Sequence, residues 1–183
     1  MGGDAATRSK TSQEFEQFWH ALPRDGAIPH RRCVVPRAAA RFLPNLVLMQ
    51  TNLAGAGAFP LRLVGSAIEA RIERKLTGCD YLDFLPGEYR QGAVESARLI
   101  AQTPCGLWQI TPLHYARGFS QNCELTMFPL RGDDATPLIV ACLEWRDDLV
   151  VPAGPHESLL HAGTAREFAF LDLGAGEPHW LAA

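Results

Sequence analysis

Chemistry at phosphate groups would need a close-approach backbone turn, and Gly55-Ala56-Gly57 is the nearest thing to one in the chain. A dinucleotide loop requires a third glycine and a helix directly behind it. Here the third glycine is missing, and Pro60 leads into residues that favour a strand. No Gly-Lys-Ser/Thr phosphate loop and no Gly-x-Ser-x-Gly nucleophile elbow occurs, so nucleotide hydrolysis and serine-esterase chemistry lack their characteristic residues. Zinc would need convergent histidine, cysteine or carboxylate ligands. His156 and His161 are five apart, and none of Cys33, Cys79, Cys105, Cys123 and Cys142 is paired at two to four residues. The histidines read as isolated surface groups in a weakly structured tail, and no metal site is expected. Five scattered cysteines suit reduced thiols in a cytoplasm better than a disulfide framework.

The segment Leu107 to Tyr115 offers different chemistry. In an extended chain Trp108, Ile110 and His114 fall on one face and Leu107, Gln109, Leu113 and Tyr115 on the other. Either face combines apolar bulk with one or two polar groups, the usual lining of a small-molecule pocket. Trp108, His114, Tyr115 and Gln109 are therefore the candidate ligand-pocket residues, with Trp108 expected in or beside an internal cavity. The competing reading makes Trp108 and Tyr115 plain core aromatics and His114 a satisfied or exposed side chain. For an enzyme, His114 and Glu124 would be the candidate acid or base at the pocket floor. Arg24, Arg31, Arg32, Arg37 and Arg41 concentrate positive charge opposed nearby only by Asp25. They suit either a phosphate-bearing partner or, because no aromatics are interleaved, a solvated face pairing with acids such as Asp133, Asp134, Asp147 or Asp148.

The elements that would hold these groups follow from periodicity. Thr11 and Glu14 have capping-box spacing, and Phe15, Phe18, Trp19 and Leu22 recur at i, i+3, i+4 and i+7, which predicts an amphipathic helix over Ser12 to Leu22. Its apolar stripe must cover something, either the domain's own sheet or a second subunit; Phe15, Phe18, Trp19 and Leu22 are the candidate dimer or partner surface. Pro36 opens a short helix reaching Phe42, and Leu46 to Asn52 and Leu61 to Gly65 favour strands joined across the glycines of 55–60. Short helices are expected at Ser66 to Arg74 and around Tyr81 to Leu85, and a longer one from Pro86 to Gln102, with Tyr89, Ala93, Ala97 and Ile100 on one face. Leu107 to Tyr115, Phe119 to Leu130 and Leu138 to Trp145 form a three-stranded meander, and Glu167 to Leu173 suit one more strand or a partner-facing extension. The organisation is a disordered stretch over 1–11, a helical extension over 12–42, an α+β domain over 43–150 and a C-terminal extension over 151–183.

With 183 residues, 47% of them hydrophobic and 20% charged, the chain can bury one substantial core. A net charge of -3 supplies no overall field toward nucleic acid or an anionic membrane. The start, Met1 to Lys10, lacks a signal-like apolar region, and no run approaches about 20 apolar residues, so neither export nor membrane insertion is expected.

Several strings in this order resemble a family of stand-alone PAS proteins from proteobacteria. They are Phe18-Trp19 with Leu22-Pro23-Arg24, then Leu43-Pro44, Arg62-Leu63-Val64-Gly65-Ser66, Leu76-Thr77-Gly78 with Tyr81 to Leu85, and Phe128-Pro129-Leu130. The resemblance covers about Phe15 to Trp145. It implies a PAS-like five-stranded antiparallel sheet with short helices on one face, a signalling role, a homodimer and no catalytic residues. The chain departs from the pattern at Arg32 to Pro36, where Cys33 and Val35 replace expected acids, and at Glu73-Arg74, where a glycine is usual. Cys79 lies where flavin-binding PAS domains carry a cysteine, but Gly78 and Asp80 flank it in place of Asn and Arg, so an ordinary buried thiol is the better reading. No histidine lies between Pro86 and Gln102 to hold haem as in haem-binding PAS domains. The expectation is thus a cytoplasmic, non-enzymatic sensory module that binds a small ligand or a partner protein, with no cofactor specified. The alternatives are a small α+β enzyme with an internal pocket and an arginine-dependent nucleic-acid adaptor.

Overall fold

The computed structural model describes residues 7–116, 118–146 and 159–178. Its centre is one antiparallel sheet. Strands β1 (Leu46–Gln50), β2 (Leu61–Val64), β3 (Cys105–Tyr115), β4 (Ser120–Arg131), β5 (Pro137–Trp145) and β6 (Leu159–Ala162) lie in the order β2-β1-β5-β4-β3-β6, and β7 (Glu167–Asp172) pairs with β3 beside β6. The meander β3-β4-β5 is as the turn residues predict, and the first hairpin joins it through β1 against β5, from Leu46 opposite Cys142 to Gln50 opposite Leu138. The five-stranded α+β core matches the sequence-based expectation; the C-terminal extension adds two strands to the same sheet.

Helices cover both faces. α3 (Ser66–Ile72), a 3₁₀ turn at Tyr81–Phe84 and α4 (Gly87–Gln102) close the inner face, where Ile68, Ile72, Leu82, Val94, Ala97 and Ile100 pack against Met49, Leu107, Leu125 and Met127. α1 (Lys10–His20) and the short α2 (Pro36–Ala39) lie on the outer face, over a second core of Phe15, Trp19, Leu22, Phe42, Phe128, Leu130 and Val140. Because β4 is sandwiched, ten consecutive residues from Gln121 to Leu130 are buried and the usual alternation of apolar and polar positions disappears.

α1 begins two residues earlier than its periodicity suggests. Ser9, not Thr11, is the cap: its side chain accepts from the Ser12 amide at 3.0 Å. Thr11 instead donates to the Glu144 carboxylate across the outer face at 3.1 Å. Of the stretch 1–11 expected to be disordered, 1–6 lie outside the described residues, Thr7 and Arg8 lead into this cap, and Lys10 and Thr11 are helical, in the first turn of α1. Of the two surfaces offered for the apolar stripe, α1 covers the chain's own sheet. Phe15 and Trp19 are fully buried and Leu22 nearly so, leaving only Phe18 half-buried, so these residues do not form a free partner surface in this chain.

Candidate functional site

Between the inner face of the sheet and α3 with the 3₁₀ turn Tyr81–Phe84 lies a cavity of about 80 Å³. Its wall is almost wholly hydrocarbon, from Met49, Ile68, Leu125 and Met127 among others, interrupted only by Tyr81, Gln109, Thr111 and Cys123. A groove of about 270 Å³ adjoins it between α4 and 163–165 and shares Tyr81, Gln109 and Thr111 with it; Glu88, Tyr89 and Ser96 line the groove's outer part. Burial raises the Tyr81 hydroxyl to about 12 and drives the Cys123 thiol well above its ordinary value, so both stay protonated near neutrality. Among the described residues no carboxylate, imidazole, lysine or arginine lines the cavity.

Thr111 is the one anomaly in this wall. It is 3% exposed, and its hydroxyl makes no hydrogen bond among the described residues. An unsatisfied buried hydroxyl costs stability unless something supplies a partner.

The pairing register decides the fate of the candidates read from sequence. Odd-numbered residues of β3 face inward. Gln109 lines the cavity, while Tyr115 belongs to the inner core without lining the cavity, stacked on Phe119 at 4.6 Å with its hydroxyl 3.5 Å from Trp145 Nε1. Even-numbered residues face outward, so Trp108 and His114 do not reach the cavity. The Trp108 indole donates to Glu124 Oε1 at 2.5 Å, and His114 stacks on His161 at 4.7 Å with its Nδ1 2.6 Å from the Ser120 hydroxyl. Bulk suggested an inner Trp108, but both faces of this sheet are covered, and bulk alone does not distinguish them. His161 is therefore a paired strand residue rather than an isolated tail group; His156 lies outside the described residues. Thr111 and Cys123 were missed, although the spacing of Gln109 and Leu113 puts Thr111 on their face.

Glu124, the candidate floor residue, also sits on the outer face. It is 1% exposed and receives Ser9 N at 3.0 Å, Trp108 Nε1 and Arg146 Nη1 at 2.9 Å. Burial pushes its carboxyl upward, but these donors outweigh burial and hold it below the ordinary carboxylate value. It anchors the amino end of α1 to the sheet and is not near the cavity.

The arginine cluster is largely paired. Arg31 and Arg32 both bind Asp133, Arg41 binds Glu14 at 2.9 Å, and Arg24 donates to the Trp19 and His20 carbonyls at the end of α1 while its guanidinium covers the Trp19 ring. Gly55 and Gly57 take positive φ in the turn between β1 and β2, a geometric role independent of phosphate. Cys79 is half-buried beside the inner core and does not line the cavity. Among the described residues no three histidine, cysteine or acidic side chains converge, and no helix is long and apolar enough to cross a membrane.

A family model described as a PAS domain matches residues 7–144. The chain belongs to the PAS domain family. No curated protein matches it. The match takes in α1, so in this PAS domain the amino-terminal helix is part of the matched unit. The strings that carried the resemblance meet in space. Trp19 Nε1 donates to the Pro129 carbonyl at 2.9 Å and its ring stacks on Phe128, while Gly65 passes so close to Leu43 and Pro44 that a Cβ would lie 2.3 Å from the Pro44 carbonyl oxygen. Gly78, at φ +94°, donates to the Leu61 carbonyl at 2.8 Å and closes the edge of β2. These are scaffold contacts, and none touches the Thr111 hydroxyl.

Proposed function

We propose that this PAS domain is a non-enzymatic sensory module that takes a small molecule into the cavity between its inner sheet face and α3 with the 3₁₀ turn Tyr81–Phe84. The apolar cavity itself carries the reading: a hydrocarbon-walled space with an unsatisfied hydroxyl is suited to a guest. The lack of a carboxylate or imidazole in its lining favours binding over acid-base catalysis. Occupancy would be reported by population shift, the guest favouring one arrangement of helices and sheet and so altering the surface shown to a partner protein. A homodimer remains part of the proposal. With Phe15, Trp19 and Leu22 enclosed, its interface would use other positions, such as Leu160 on β6, which is 56% exposed. Five free thiols favour a reducing, cytoplasmic setting. Native mass spectrometry of freshly purified protein tests the reading, with a retained organic mass, released on denaturation, as the expected result. Protein that carries no guest and binds none from a panel of small apolar compounds would remove the support for it.

A further inference from the structure

Resting on that reading, we infer that the guest is a neutral short-chain amphiphile, with its hydrocarbon end in the cavity and one uncharged hydrogen-bonding head, hydroxyl or carbonyl, on the Thr111 hydroxyl. Three observations lead there. Among the described residues the cavity wall holds no charged side chain, so a charged group brought into it would be desolvated without a partner, which is prohibitive for a carboxylate or an ammonium. Among the described residues the adjoining groove presents one charged side chain, Glu88, which repels an anionic head at the approach. Thr111 is 97% removed from solvent, since it is 3% exposed, and its hydroxyl lacks a partner among the described residues. Its position, in the wall of both the cavity and the groove, fixes where the head must lie: at their junction beside Gln109, with the tail directed toward Met49, Leu125 and Met127. A volume of about 80 Å³ is roughly half that of an apolar cavity known to admit benzene, so the tail is a few carbons long.

The test uses 1-pentanol, n-pentane and pentanoate with the full chain at neutral pH, affinities being read by NMR titration. Thr111→Val removes the hydroxyl at nearly constant shape, and Thr111→Ser keeps it. Pentanol is expected to bind Thr111→Val about fivefold more weakly than wild type, the worth of one neutral hydrogen bond. Pentane should bind both equally, Thr111→Ser should preserve the pentanol affinity, and pentanoate should bind at least about tenfold more weakly than pentanol. Should the valine variant not fold, Thr111→Ala set against Thr111→Ser makes the same comparison. A pentanol affinity indifferent to the hydroxyl, or pentanoate binding as tightly as pentanol, overturns the inference while leaving the cavity reading intact. If neither pentanol nor pentane binds wild type, the cavity reading itself fails and this inference fails with it.

Discussion

Glu73, exposed at the end of α3, holds φ at +52°, in the left-handed region that a side chain bearing Cβ enters only at a cost. The resemblance leads one to expect a glycine at Glu73-Arg74, and a glycine would adopt this φ without the penalty. Glu73→Gly should therefore stabilise the protein by about 1 kcal/mol, part of the relief being offset by the greater chain entropy of glycine. Chemical denaturation would show it as a higher midpoint at unchanged slope, and a lower midpoint would mean that the strain is not felt. Thr111 makes the opposite kind of residue-scale prediction. Without a guest its hydroxyl is a buried group with no partner among the described residues, so Thr111→Val should raise the stability of the guest-free protein by about 1 kcal/mol. A destabilised valine variant would imply that the hydroxyl has a partner after all. Neither feature was fully legible beforehand. The departure at Glu73 was visible as an oddity, but its φ was not, and a lone threonine among apolar neighbours carries no sequence signal.

At the scale of elements, α1 is held by two kinds of contact. Phe15 and Trp19 are wholly enclosed by Phe42 and Phe128, and truncating Trp19 to Ala should cost about 3–5 kcal/mol, with the Pro129 carbonyl also losing its donor. At the other end Glu124 receives Ser9, Trp108 and Arg146 and is thereby held below the ordinary carboxylate value. A depressed folded-state value means that the contribution of Glu124 is fully present above the unfolded value of about 4.3 and is lost as pH falls through the lower, folded one. Wild type should lose stability in that acid window. Glu124→Gln should be weaker at neutral pH and show a shallower acid slope, measured as unfolding free energy against pH; parallel profiles would show that Glu124 does not anchor the helix.

Most elements were readable because each has its own periodicity or breaker: α4 by its apolar face, the meander by Gly118 and Gly132, and α1 by its aromatic stripe. What failed was the assignment of faces. A strand covered on both sides has apolar residues at odd and even positions alike, so Trp108 and Gln109 were equally good candidates until the neighbouring strands and helices fixed which one looks inward. β6 escaped notice because four residues, Leu159–Ala162, give too little pattern.

For the whole molecule, the division of labour is between an outer face that is filled and an inner face that is not. α1 and Phe42, which follows α2, seal the outer face with interlocking aromatics, whereas α3 and α4 roof the inner face and a cavity remains beneath α3 and the 3₁₀ turn. The family strings lie in the scaffold contacts, which is why they make the PAS family recognisable and do not reveal what the domain senses. The central claim is that small apolar molecules enter the inner cavity and not the outer core. It is tested most directly by methyl-detected NMR during titration with 1-pentanol. Saturable shifts at Met49, Leu125 and Met127, with Leu22, Leu46 and Leu130 on the outer face unmoved, are the predicted result. Absence of saturable shifts at the three cavity residues, or shifts confined to the outer core, would contradict the account.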